Sequence, residues 1–131
     1  MFFWKKKEKK EPSIEEASTS PNQDFDALRN EIDTLLAALE TAEGEERVSC
    51  LNRIGARYRV CGEPLNAIQY YEKSMEESKT FGEACTALMA LYNQMRKEAA
   101  KSGDDEKIQY YLRKLDALMA TNKSIMRSSL S

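Results

Sequence analysis

Residues 48–81 read VSCLNRIGARYRVCGEPLNAIQYYEKSMEESKTF. Two apolar series lie on either side of Gly62-Glu63-Pro64. Val48, Leu51, Ile54 and Tyr58 share one helical face; Leu65, Ile68, Tyr71 and Met75 share another. Gly is the residue type that closes a helix, and Pro suits the first turn of the next. The stretch predicts a helix over residues 45–61 and a second over residues 63–79. So short a connection makes them antiparallel neighbours.

The same logic extends in both directions. Upstream, Phe25, Leu28, Ile32, Leu35, Leu36 and Leu39 form a stripe over residues 21–42, closed by Gly44. Ser20, Pro21 and Gln23 resemble a capping box at its start. Downstream, Thr80 and Glu83 repeat that pattern and open a helix reaching Lys101, with Cys85, Leu88, Met89, Tyr92 and Met95 inward. After the turn SGDD, residues 105–125 carry Ile108, Tyr111, Leu112, Leu115, Leu118 and Met119 inward. The 131 residues hold five Gly and three Pro, and no run alternates as a strand does. The expectation is an all-α fold of about five helices, stacked as antiparallel hairpins. Residues 22–126 form the domain, residues 1–21 a flexible tail, and residues 127–131 a frayed end.

The letters IQYY occur at residues 68–71 and again at 108–111. They point to a repeated unit. Residues 48–81 span 34 positions and resemble a tetratricopeptide repeat, a helix–turn–helix module with small and large residues at set places. Leu51 takes the first large apolar position, Ile54-Gly55 stands for Leu-Gly, and Tyr58 for the family's Tyr. Ala67, Tyr71 and Ser74 match the small, aromatic and small positions of the second helix. Gly55 and Ala67 lack bulk, so the two helices can approach closely. Residues 82–118 resemble a degenerate second copy, with Leu88, Tyr92 and Tyr111 in place, Met89 where Gly belongs and Lys107 where Ala belongs. The Tyr92–Tyr111 interval is 19 residues against 13 for Tyr58–Tyr71, so the last two helices should be longer.

The resemblance implies a protein-binding module whose concave face is lined by the first helix of each hairpin. On that basis Ser49, Asn52, Ala56 and Arg59 face a partner segment from one helix, and Glu83, Thr86, Ala90 and Asn93 from the other. The lysine- and asparagine-rich carboxylate clamp of some family members is not reproduced; only Asn52 resembles it.

The first of these helices also carries Arg47, Arg53, Arg57 and Arg59, with no acid between Arg47 and Gly62. Arg53 and Arg57 are four apart and share a face. One reading is a guanidinium cluster for an acidic or phosphorylated segment. The other is a solvated face paired with Glu45, Glu46 or acids of neighbouring helices.

The tail opens MFFWKKKEKK. Phe2, Phe3 and Trp4 suit a membrane interface, and Lys5, Lys6 and Lys7 suit anionic lipid. At about 1 kcal/mol per Lys, this supports only weak, reversible contact. The competing reading is a tail that stays free or docks its aromatics on protein.

Several function classes lose support from composition. There is no His, the commonest general base and metal ligand. Neither a phosphate-cradling glycine loop nor a Cys/His cluster at metal spacing is present. No enzyme, cofactor or metal is expected. Three Cys with no CxxC pair suit reduced, mostly buried thiols in the cytoplasm. The location expected is cytoplasmic, peripheral to the inner face of a membrane if the tail makes contact. The formal net charge is −2, but residues 1–11 carry +3, so the remainder is acidic and nucleic acid is a poor partner. A homo-oligomer assembled through the helices is the alternative to an adaptor.

Overall fold

The computed structural model describes residues 21–78 and 82–130. It contains five helices: α1 (Pro21–Leu39), α2 (Gly44–Val60), α3 (Pro64–Ser78), α4 (Glu83–Ser102) and α5 (Asp105–Leu130). Among the described residues there is no strand. The chain is an all-α array in which α2 packs on α3, α3 on α4, and α4 on α5.

The chain divides into two compact units, residues 1–31 and residues 32–131. In the first, the described part is the opening of α1, where Phe25 is exposed and Leu28 half-buried. The expected burial of Phe25 therefore does not hold. The second unit holds the rest of α1 and both hairpins. Residues 1–20 of the expected 1–21 tail, with its proposed membrane contacts, and the capping residues Ser20 and Thr80 lie outside the described residues, while Pro21 opens α1.

Both hairpins turn in the same way. α2 ends with Gly62 N–H on the Arg59 carbonyl at 3.1 Å and Glu63 N–H on the Tyr58 carbonyl at 2.9 Å. α4 ends with Gly103 N–H on Ala100 and Asp104 N–H on Ala99, at 3.2 and 2.9 Å. This crossed pair satisfies terminal carbonyls and needs a left-handed residue, supplied by Gly62 (φ 78°) and Gly103 (φ 71°). Asp104 Oδ1 then accepts the Lys107 N–H at 3.1 Å and caps α5. The expected cap of α4 is replaced: Gly82 occupies the cap position without a side-chain bond, and Glu83 is the first helical residue.

Two buried clusters hold the second unit. The larger gathers Ala67, Ile68 and Tyr71 of α3, six residues of α4 that include Cys85, Leu88, Leu91 and Tyr92, and Tyr111, Leu115 and Leu118 of α5. The smaller joins Leu35 of α1 to Cys50 and Ile54 of α2. Cys50 Sγ donates to the Leu35 carbonyl at 3.2 Å. The three thiols are free; Cys50 and Cys85 are buried and Cys61 is half-buried.

Several inward assignments move. Leu65 is 60% exposed, because Ala67, Tyr71 and Ser74 set the buried face of α3 and Leu65 points away from it. Leu112 and Met119 are exposed, each one residue, hence about 100°, beyond a buried one (Tyr111 and Leu118). Conversely Ala84, Ala87, Leu91 and Ala99 are buried, since α4 has neighbours on two sides and needs a broader apolar face than one stripe.

Candidate functional site

α2 and α3 approach each other closely at Gly55. A β-carbon built there would lie 2.8 Å from Cε2 of Tyr71, inside contact distance. Only glycine lets α2 and α3 meet at this separation. Beside it the Tyr58 and Tyr70 rings stack with centroids 5.6 Å apart. In the second hairpin Tyr92 and Tyr111 are 6.3 Å apart and tilted. As the longer tyrosine interval implies, α4 and α5 have 20 and 26 residues against 17 and 15 for α2 and α3.

The hairpin geometry sets the outward faces of α2 and α4. Ser49, Arg53, Arg59, Thr86, Ala90 and Asn93 are exposed, while Asn52, Ala56 and Arg57 are half-buried. Ala56 packs on the larger core cluster. Asn52 Oδ1 is buried and accepts no hydrogen bond from the described residues. Arg59 of α2 and Asn93 of α4, 34 positions apart, line one shallow depression of about 510 Å³ with Ala90, Lys97, Glu98 and Lys101. Ser49, Asn52, Arg53, Ala56, Arg57 and Thr86 do not line it.

Charge in this depression is unbalanced. Arg59, Lys97 and Lys101 make no ion pair with the described residues, and they face the single acid Glu98. Glu98 accepts a bond from the Gln94 amide at 3.1 Å. Arg96 donates from Nε and Nη2 to Asn93 Oδ1 at 3.3 and 3.0 Å, which brings a fourth cation to the rim. The two lysines are not among the residues expected from the sequence, which are the arginines of α2 and the smaller residues of α2 and α4. Continuing the Thr86, Ala90, Asn93 spacing along α4 reaches both.

Arg47 has a different role. Its Nε pairs with Glu77 of α3 at 2.8 Å, and its Nη1 donates to the Leu39 carbonyl at 3.2 Å. It ties three helices together and leaves the arginine series as a ligand group. For Arg47, pairing with an acid of a neighbouring helix is what the structure contains.

A second polar cluster joins three helices. Glu72 of α3 accepts the Tyr92 hydroxyl of α4 and pairs with Lys114 Nζ of α5 at 3.1 Å. Lys114 also lies over the rings of Tyr92 and Tyr110, at 5.7 and 5.9 Å. Burial, and then the bond to Glu72, push the Tyr92 hydroxyl far above its ordinary value. For Lys114 burial works against the charge, but the bond to Glu72 and that residue's charge outweigh it and raise the pKa. Tyr92 is thus held protonated and Lys114 charged. Neither is poised to move a proton near neutral pH. The cluster borders a cleft of about 450 Å³ also lined by Met75, Leu88 and Leu118.

Comparison with family profiles, curated proteins and solved structures finds no match. Among the described residues no group of three or more His, Cys, Asp and Glu could hold a metal ion. No described helix is long and apolar enough to cross a membrane.

Proposed function

We propose that the chain is a protein–protein interaction module, a tetratricopeptide-like adaptor or scaffold that binds a partner segment across the outward faces of α2 and α4. The observation that carries this reading is the shared depression of Arg59 and Asn93. They are equivalent positions of a 34-residue repeat, and they come together on one surface. The Gly55–Tyr71 approach supports the same repeat, and the like turns at Gly62 and Gly103, 41 residues apart, suit a second hairpin of the same build but greater length.

Three cations with no ion pair among the described residues, set in a shallow depression, suit an extended acidic or phosphorylated segment. Arg53, Arg57 and the smaller residues Ser49, Asn52, Ala56 and Thr86 extend the face beyond it. The module acts without catalysis or cofactor, in the cytoplasm, with the aromatic and basic tail adding weak affinity for an anionic membrane. Nucleic acid is disfavoured by the acidic excess beyond the tail.

The test is photo-crosslinking in native lysate, with a reactive residue placed at Ala90 or, as a control, at Gln69 on the outside of α3. Crosslinks at Ala90 to one protein, lost in Arg59→Glu/Lys97→Glu, support the reading. Equal capture from both positions, or capture indifferent to the charge reversals, counts against it.

A further inference from the structure

α5 buries Tyr111, Leu115 and Leu118 and packs on α4. A second apolar row runs beside that face. Leu112, Met119 and Met126 recur every seven residues and are 38%, 48% and 53% exposed. Single exposed apolar residues need no explanation. Three in heptad register along one helix form a seam, the pattern by which helices pair with one another.

The charges beside the seam indicate what covers it. Asp116 and Lys123 are exposed on the same flank, about 40–60° round the helix from Met119. Neither forms an ion pair with the described residues. Consider a two-fold axis at Met119, with a second α5 running the opposite way. Leu112 and Met126 are each seven residues from the axis, so Leu112 of one copy meets Met126 of the other at the same height. Asp116 lies three residues to one side and Lys123 four to the other, so across the axis their heights differ by about 1.5 Å. Each Asp116 then faces the other copy's Lys123, twice per pair. Parallel pairing would instead carry the two flanks to opposite sides of the seam, and no Asp116 would meet a Lys123. The row is self-complementary in one direction only.

We infer that α5 pairs antiparallel with α5 of a second copy of this chain, through Leu112, Met119 and Met126, with Asp116 and Lys123 fixing the register. The interface is isologous, so every contact occurs twice. A seam of one helix is small, and the dimer is weak and concentration-dependent. This inference uses no residue of the α2 and α4 face and stands apart from the function proposed for it.

Sedimentation velocity of the full chain, from low to several hundred micromolar, tests it. A monomer–dimer equilibrium is expected. Met119→Glu abolishes it with helical content unchanged by circular dichroism. Asp116→Lys weakens it about tenfold, since the lost pair counts twice, and Asp116→Lys/Lys123→Asp restores it. A monomer at every concentration overturns the inference. So does a dimer that Met119→Glu leaves intact, or a double variant no tighter than the single one.

Discussion

Tyr71 lies flat enough against Gly55 that its ring leaves no room for a β-carbon on α2. Two effects of opposite sign meet there. Gly→Ala inside an unobstructed helix stabilises by about 1 kcal/mol. At Gly55 the new methyl group would sit 2.8 Å from a ring atom of a residue only 3% exposed. Overpacking of this kind costs about 1–3 kcal/mol, so the clash should win. Gly55→Ala is expected to lower the urea midpoint, and Gly55→Leu to unfold the hairpin. An unchanged or raised midpoint for Gly55→Ala would remove the close approach from the account.

Alkaline pH should loosen the bundle before neutral or mildly basic pH does. Folded Tyr92 and Lys114 both keep their protons to higher pH than their ordinary values of 10.0 and 10.5 allow. Above about pH 10 the unfolded chain releases protons that the folded chain retains. Stability therefore falls as pH rises through that window and is fully present below it. Tyr71 and Tyr111, also raised chiefly by burial, act in the same direction. Urea titrations at increasing pH should show the decline, and Tyr92→Phe should make it shallower. A midpoint independent of pH up to the tyrosine range would contradict this.

The Arg47 tie contributes only modestly to stability. Both side chains of the pair with Glu77 are about a third exposed, at 34% and 37%, so solvent screens them. Roughly 0.5 kcal/mol is expected from the ion pair, and about 1 kcal/mol from the bond to the Leu39 carbonyl. Arg47→Ala should cost more than Glu77→Ala, because only the former loses both. A double-mutant cycle read by thermal or urea unfolding checks the order, and high salt should shrink the coupling.

The three thiols should react in a fixed order. Cys61 is half-buried, while Cys50 and Cys85 are buried, and burial raises the Cys85 pKa. Alkylation followed by mass spectrometry should label Cys61 first and Cys85 only with local opening. Labelling of Cys85 ahead of Cys61 would contradict the packing of α4.

Much of the fold is legible from period alone. Apolar spacing finds each helix, and Gly62, Gly103 and Pro64 mark the breaks, because each supplies a backbone conformation few residues share. Helix ends are less legible. α1 stops at Leu39, short of the expected Ala42, where Glu40 and Thr41 bond three residues back to Ala37 and Ala38 and tighten the last turn. α5 runs to Leu130, past the expected Ile125. Which apolar residues face inward is legible only once the neighbours are known, as Leu65, Leu112 and Met119 show. The Glu72–Tyr92–Lys114 cluster has no local signature at all. Its members come from three helices and meet only through packing. For the proposed binding face, the 34-residue spacing of Arg59 and Asn93 is legible in the sequence, and the α4 spacing leads on to Lys97 and Lys101, but that these residues line one depression is seen only in three dimensions.

The most direct test of the central claim, segment binding on the α2 and α4 face, is a peptide selection on the full chain followed by amide chemical-shift mapping. The account predicts that acidic peptides are enriched, that shifts concentrate at Arg59, Ala90, Asn93, Lys97 and Lys101, and that Arg59→Glu/Lys97→Glu abolishes them. Shifts confined to other helices, or acidic peptides bound equally well by the charge-reversed chain, would contradict it.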